Sequence, residues 1–165
     1  MSRTLRVVLL AACCTLSACG DYPRDAEHSL QRVRGSALRV GVSHEPPYVV
    51  LAAGAQPSGS EVDLVRALAR TQGARIEWVP GGHDALMGDL LAFRLQLVVG
   101  GHSEQSPWQS QVAWSRPYLL ADSVGGSARR RLALPPGENA WQLVVDRYVL
   151  RSERALAAQA ADRRP

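Results

Sequence analysis

Apolar and polar residues alternate along Leu38-Arg39-Val40-Gly41-Val42, and the run is rich in β-formers, which predicts a first strand. Ser60 then precedes Val62, Leu64, Val65, Leu68 and Ala69, spaced along one helical face, with Ser60 as N-cap and Gly73 as terminator. Arg75-Ile76-Glu77-Trp78-Val79 reads as a second strand, broken by Pro80-Gly81-Gly82. Leu86, Leu90 and Leu91 predict a helix over His83–Phe93, and Leu95-Gln96-Leu97-Val98-Val99 a third strand. This β-α-β-α-β order predicts a parallel sheet with helices packed on it.

The pattern changes after Val99. Val112-Ala113-Trp114 and Tyr118-Leu119-Leu120 suit short strands, and 124–134 an antiparallel piece turning at Gly125-Gly126. Pro135-Pro136-Gly137 is a breaker. From Asn139 an apolar stripe of Trp141, Val144, Val145, Tyr148 and Val149 predicts an amphipathic helix, continued by the alanine-rich, surface-lying Arg151–Gln159. No internal repeat or low-complexity tract interrupts the order.

The segment before the first strand has another character. Arg3 and Arg6 precede an apolar run from Val7 to Thr15, too short for the roughly 20 residues of a membrane span. The run ends in Leu16-Ser17-Ala18-Cys19-Gly20, an arrangement of a branched apolar residue, two small residues and a cysteine that matches the bacterial lipobox. Residues 1–18 are therefore expected to be a cleaved export signal, with Cys19 the acylated first residue of the mature chain. Residues 19–35, polar and proline-containing, are expected to be the tether to a lobe over 36–160. Acyl chains on Cys19 would hold the protein on a membrane, each buried CH₂ contributing about 0.8 kcal/mol. Cys13 and Cys14 leave with the signal, so neither a disulfide framework nor thiol catalysis is expected.

Composition narrows the function classes. All 19 basic residues are arginine, and the net charge is +4 over 165 residues. Removing Arg3 and Arg6 with the signal leaves +2 on 147 residues (165 − 18), a single-domain length with modest charge. Arg129-Arg130-Arg131, the one basic run, reads as a solvated turn. No aromatics interleave with basic residues, so no nucleic-acid partner is expected. There is no G-x-S-x-G elbow and no H-E-x-x-H. The His83/Asp84/Asp89 and His102/Glu104 spacings match no established ligand pair. No catalytic residue, metal or cofactor is expected.

Ligands of open α/β sheets sit beyond the carboxyl ends of the strands. Three loops leave those ends: Ser43-His44-Glu45-Pro46-Pro47-Tyr48, Pro80-Gly81-Gly82-His83-Asp84 and Gly100-Gly101-His102-Ser103-Glu104. They gather Glu45, Tyr48, His83 and Ser103 on one edge, where free glycine N–H groups could receive an anion. The same residues also suit plainer roles: Pro46-Pro47-Tyr48 a stiff turn packing a ring, His83 a helix start, Asp84 a helix N-terminal charge.

The ordered set Leu38–Val42, Glu45-Pro46-Pro47-Tyr48, Gly59-Ser60-Glu61-Val62-Asp63-Leu64, His83-Asp84-Ala85-Leu86, Leu97-Val98-Val99-Gly100-Gly101 and Trp114-Ser115-Arg116-Pro117-Tyr118 resembles the family-3 extracellular solute-binding proteins over roughly residues 36–120. The resemblance implies one three-layer α/β lobe of the type II periplasmic-binding-protein kind. It also implies a role as a lipid-anchored or periplasmic receptor delivering amino acids or related polar solutes to an ABC permease. Glu45 and His83 fall where the family commonly has aromatics. Ser103 matches a hydroxyl that helps hold a ligand carboxylate, with Gly101 supplying backbone beside it. Trp108 stands where amino-acid binders place an arginine, and an indole cannot make that bidentate charged contact. The expected ligand set is thus Glu45, Tyr48, His83, Gly101, Ser103 and Trp108, and the expected solute is neutral or cationic.

The family chain crosses into a second lobe after the position of Tyr118, whereas here Gly137-Glu138-Asn139-Ala140-Trp141, resembling the returning helix, follows within about twenty residues. The second lobe is missing from this pattern, as if excised. One wall buries about half of what the usual 70–90% enclosure does, so intrinsic affinity should be weak. A second copy or another partner would complete the cleft. The alternative expectation is an interaction module, or a degenerate binding protein, that docks a partner through its half-cleft without useful small-molecule affinity.

Overall fold

A computed structural model describes residues 24–121 and 127–162. The export signal, Cys19, the tether as far as residue 23 and the Gly125-Gly126 turn lie outside the described residues. In chain order the elements are α1 (Ser29–Val33), β1 (Ala37–Val42), α2 (Ser60–Thr71), β2 (Arg75–Pro80), α3 (His83–Leu91), β3 (Leu97–Val99), β4 (Ala113–Trp114), β5 (Tyr118–Ala121), β6 (Ser127–Arg130), β7 (Ala133–Leu134) and α4 (Asn139–Asp162).

The main sheet runs β2-β1-β3-β7-β4. β1 pairs in parallel with β2, Ala37 opposite Arg75 through Val42 opposite Pro80, and with β3, Val40 opposite Leu97 through Val42 opposite Val99. β7 is antiparallel to both β3 and β4. β5 and β6 form a separate antiparallel hairpin with Tyr118 opposite Arg130.

Because side chains alternate across a strand, the sheet has two apolar faces. Leu38, Val40, Val42, Leu97 and Val99 pack with Val62, Val65 and Leu68 of α2 and Trp141, Val145 and Val149 of α4. Val98 and Ala133 face the other way, onto Leu86, Met87 and Leu90 of α3. Gly41 lies against that second layer: a Cβ there would sit 2.8 Å from Leu95 and 3.1 Å from Leu86. Helices thus cover both faces, the expected three-layer lobe.

Two local expectations change. Ser60 is the first helical residue of α2 rather than its cap, which is Gly59 at φ 116°. A Cβ at Gly59 would fall 2.3 Å from the Tyr48 carbonyl oxygen, so the backbone demands glycine where the first loop crosses the start of α2. The segment expected to tether the lobe is instead docked on it from Arg24 onward. Ser29 and Val33 of α1 are fully buried, and Val33 joins the main core. A five-residue helix gives too short a periodic signal to read from sequence.

Candidate functional site

The three parallel strands deliver their following loops to one edge of the sheet. There Glu45, His83, Gly101 and Ser103 line an open depression of about 330 Å³, together with Gly100, His102, Gln105, Ser106, Pro107 and Arg130. The loop after β1 turns tightly: Glu45 N donates to Val49 O at 2.8 Å, and Tyr48 N to Glu45 O at 2.9 Å. Glu45 is exposed, and its side chain lies across Gly101, where a Cβ would approach Glu45 Cγ to 2.4 Å at φ 70°.

Beneath the depression is a buried carboxylate that sequence reasoning did not single out. Glu61, fully buried in the first turn of α2, accepts from Gly100 N at 3.1 Å and Gly101 N at 2.8 Å through Oε2. Its Oε1 accepts from the Tyr118 hydroxyl at 2.7 Å. The glycine amides expected to meet a ligand anion are therefore occupied by the chain's own side chain. Burial pushes the Glu61 carboxyl above its ordinary 4.5, while these donors pull it down. Burial, and then the Glu61 carboxylate, push the Tyr118 hydroxyl well above its ordinary range.

The arginine run is not a solvated turn. Arg129 and Arg130 belong to β6, and alternation along the strand turns Arg130 inward. Its guanidinium lies 4.3 Å over the ring of Tyr48, and Nη1 donates to Gly101 O at 2.6 Å. Tyr48, 4% exposed, is the floor beneath this cation. Arg131 Nη2 lies 3.2 Å from Glu104, and Arg129 Nη1 4.0 Å from the same carboxylate.

His102 is buried, its ring 4.9 Å from that of His83 and 5.4 Å from that of Trp114. Burial first, then the neighbouring His83, lowers its pKa from 6.5 to about 4. The unfolded chain takes up this proton below about 6.5, whereas the folded chain resists until about 4. Protons thus favour the unfolded state in that window, and the stability is present above it and lost as pH falls through it. A His102→Asn variant should show a shallower loss of stability between these pH values than the parent. Denaturant midpoints measured across the range check this, and parallel curves for the two proteins would refute it.

Trp108 lies elsewhere. It packs against the α3 cluster, and its Nε1 donates to Asp84 Oδ1 at 3.2 Å. The loops thus bring Glu45, His83, Gly101 and Ser103 together, place Tyr48 beneath them, and put Trp108 at the flank of α3. Of the residues that were missed, Glu61 left a signal: it falls four and seven residues before Val65 and Leu68, a charge on the buried face of its helix. A buried charge must be hydrogen-bonded, so its position alone called for partners.

No helix among the described residues is long and apolar enough to cross a membrane. Comparison with curated proteins finds no match. Solved structures share the fold. The arginine-bound form of domain 1 from TmArgBP aligns with TM-score 0.61 and 23% identity over 70% of this chain and 92% of that one. An ancestral cationic amino acid solute-binding protein aligns with TM-score 0.65 and 13% identity over 77% of this chain and 94% of that one. The arginine-bound form of truncated ArgBP from T. maritima aligns with TM-score 0.59 and 15% identity over 70% of this chain and 95% of that one. The family model for bacterial extracellular solute-binding proteins, family 3, matches residues 38–154, a span that takes in the sheet, the depression and most of α4. The chain belongs to that family.

Proposed function

We propose that the chain is an exported lipoprotein, acylated at Cys19, that binds a small polar solute of neutral or cationic character for ABC-type uptake or sensing in the bacterial envelope. Glu45 carries this reading. It is an exposed carboxylate with no ion pair among the described residues, standing beside His83, Gly101 and Ser103 at the edge where α/β folds receive ligands. Ser103 Oγ accepts from Gln105 N at 3.3 Å, which leaves its proton to donate to a solute. Tyr48 shapes the floor beneath Arg130, and Trp108 fixes the neighbouring loop against α3. The TmArgBP structure supports binding by one lobe, since it is of a single domain with arginine bound. At about 330 Å³ the depression is at the small end of ligand sites and open to one side, so it encloses a solute less completely than a closed cleft, which favours weak binding.

The test is thermal unfolding with amino acids, polyamines and dipeptides. A solute at ten times its dissociation constant adds about 1.4 kcal/mol, a shift of several degrees in a domain of this size. A cationic or neutral solute should produce it, and Glu45→Ala should abolish it without lowering the unliganded midpoint. A shift produced only by anionic solutes, and kept in Glu45→Ala, would sink the reading. Mass analysis of the mature N-terminus tests acylation of Cys19 separately.

One observation favours a docking role as the second reading. Leu119 of β5 is 54% exposed, the one large apolar side chain so open among the described residues. A partner seated on the β5–β6 hairpin would cover it and close the cleft. Recovery of a stoichiometric partner with the parent protein, lost in Leu119→Ser, together with no solute shift, would favour this reading over solute binding.

A further inference from the structure

The edge of the sheet opposite the depression carries the other concentration of charge. Arg24, Arg32 and Arg34 on the docked N-terminal segment and Arg70 at the end of α2 are all exposed. None of the four makes an ion pair among the described residues. They lie at one end of the lobe because α2 runs back against the parallel strands. Gly35 N donates to Gln72 O at 3.1 Å, and Arg75 N to Ser36 O at 2.9 Å, so the end of α2 meets the start of β1 and β2.

Two open clefts mark this edge. One, of about 760 Å³, presents Arg24, His28 and Arg34. The other, of about 380 Å³, presents Arg32, Arg39 and Arg94. The acidic groups here are already engaged. Both oxygens of Asp25 accept backbone N–H groups, from Leu30 and Trp141. Glu77 is paired with Arg39 and Arg75, and Asp89 with Arg94. Glu27 is the exposed acidic exception.

We propose that this edge docks onto the anionic phospholipid headgroups of the membrane that holds the anchor, so that the solute depression points away from the bilayer. The proposal rests on the lipoprotein reading for its geometry. Four residues lie between Cys19 and Arg24, a reach of about 17 Å at most, so an acylated Cys19 holds the start of this edge close enough to the bilayer for Arg24 to meet the headgroups. The six-residue β1 then sets the depression about 20 Å farther out. Arginines near an anionic surface each contribute about fivefold in partitioning, so three together supply about a hundredfold.

The experiment uses the chain from residue 20 onward, without lipid. It retains the whole buried core, which runs from Val33 to Val149. Cosedimentation is measured at low salt with phosphatidylcholine vesicles and with phosphatidylcholine–phosphatidylglycerol vesicles. The chain should bind the anionic vesicles and leave the neutral ones. The triple variant Arg24→Glu, Arg32→Glu, Arg34→Glu should lose at least about a hundredfold, the three attractions removed, with repulsion of the new carboxylates added to it. The triple variant Arg147→Glu, Arg151→Glu, Arg154→Glu changes net charge equally on exposed positions of α4 and should stay within a fewfold of the parent. Equal losses in both variants, or no preference for anionic vesicles, would overturn the proposal. An acylated Cys19 in a protein lacking that preference leaves the lipoprotein reading standing and removes the docking edge. Edge-specific binding with an unmodified Cys19 does the reverse.

Discussion

Replacing Glu61 by alanine is expected to destabilise the lobe by about 3 kcal/mol or more, because three donors lose one shared acceptor. The substitution orphans Gly100 N, Gly101 N and the Tyr118 hydroxyl together. Each unsatisfied buried donor costs about 1–3 kcal/mol, and removal of the carboxylate's own desolvation cost offsets part of the sum. Glu61→Gln should cost only about 1 kcal/mol, because the amide oxygen can still accept from the glycines while its NH₂ donates to Tyr118. The pH dependence has a definite sign. Burial raises the folded carboxyl above 4.5, so the folded state holds the proton more tightly than the unfolded one. That contribution is present below the unfolded value and is lost as pH rises through the folded one. Glu61→Gln should therefore fall further behind the parent as the solution is acidified, opposite in direction to the His102 effect. Urea denaturation of the three proteins across pH reads both results. Equal stabilities for parent and alanine variant at neutral pH would show that the glycine loop does not depend on Glu61.

Where the hydrophobic period was sustained, the sequence was legible. β1, α2, β2, α3 and β3 occur in the expected order, and β1 pairs in parallel with both β2 and β3 because alternating and helical apolar spacings succeed each other cleanly. The depression follows from that order alone, since parallel strands must present their loops on one edge. Charged residues with inward roles were less legible. Arg130 and Glu61 look like surface residues by type, and only their register on β6 and α2 turns them inward. The surroundings of Trp108 were also not legible. The likeness to the family gives its place in the chain order, whereas its packing against α3 and its bond to Asp84 depend on tertiary contacts that no local spacing announces. α1 escaped notice because its order comes from carboxylates outside it, the distant Glu138 and the nearby Asp25, rather than from its own five residues.

That dependence makes Glu138 the second position where a single substitution should have a large effect. Glu138 is 1% exposed, and its two oxygens accept Glu27 N at 2.7 Å and Ser29 N at 2.8 Å. Asp25 reciprocates, accepting Trp141 N at 3.0 Å in the first turn of α4 and Leu30 N at 2.8 Å in α1. Each carboxylate therefore satisfies at least one N–H group in the first turn of a helix, which the helix cannot satisfy itself, and Glu138 also holds Glu27 N just before α1. Two charge-assisted bonds contribute about 3 kcal/mol or more, so Glu138→Ala should release the N-terminal segment while the sheet stays folded. The loss is capped by the docking energy of that segment, because once it detaches nothing further depends on the carboxylate. Asp25→Ala should act on the same unit, and the double variant should cost far less than the sum of the two. Amide hydrogen exchange checks this directly: Glu27 and Ser29 should lose protection in Glu138→Ala while Val40 and Val98 keep theirs. Unchanged exchange at Glu27 and Ser29 would show that apolar burial of Val33 alone holds the segment. Arg24, Arg32 and Arg34 travel with it, so the same variant should also scatter the charges proposed to face the membrane. It would weaken anionic-vesicle binding without removing a single arginine, separating an edge organised by the fold from one that works by net charge alone.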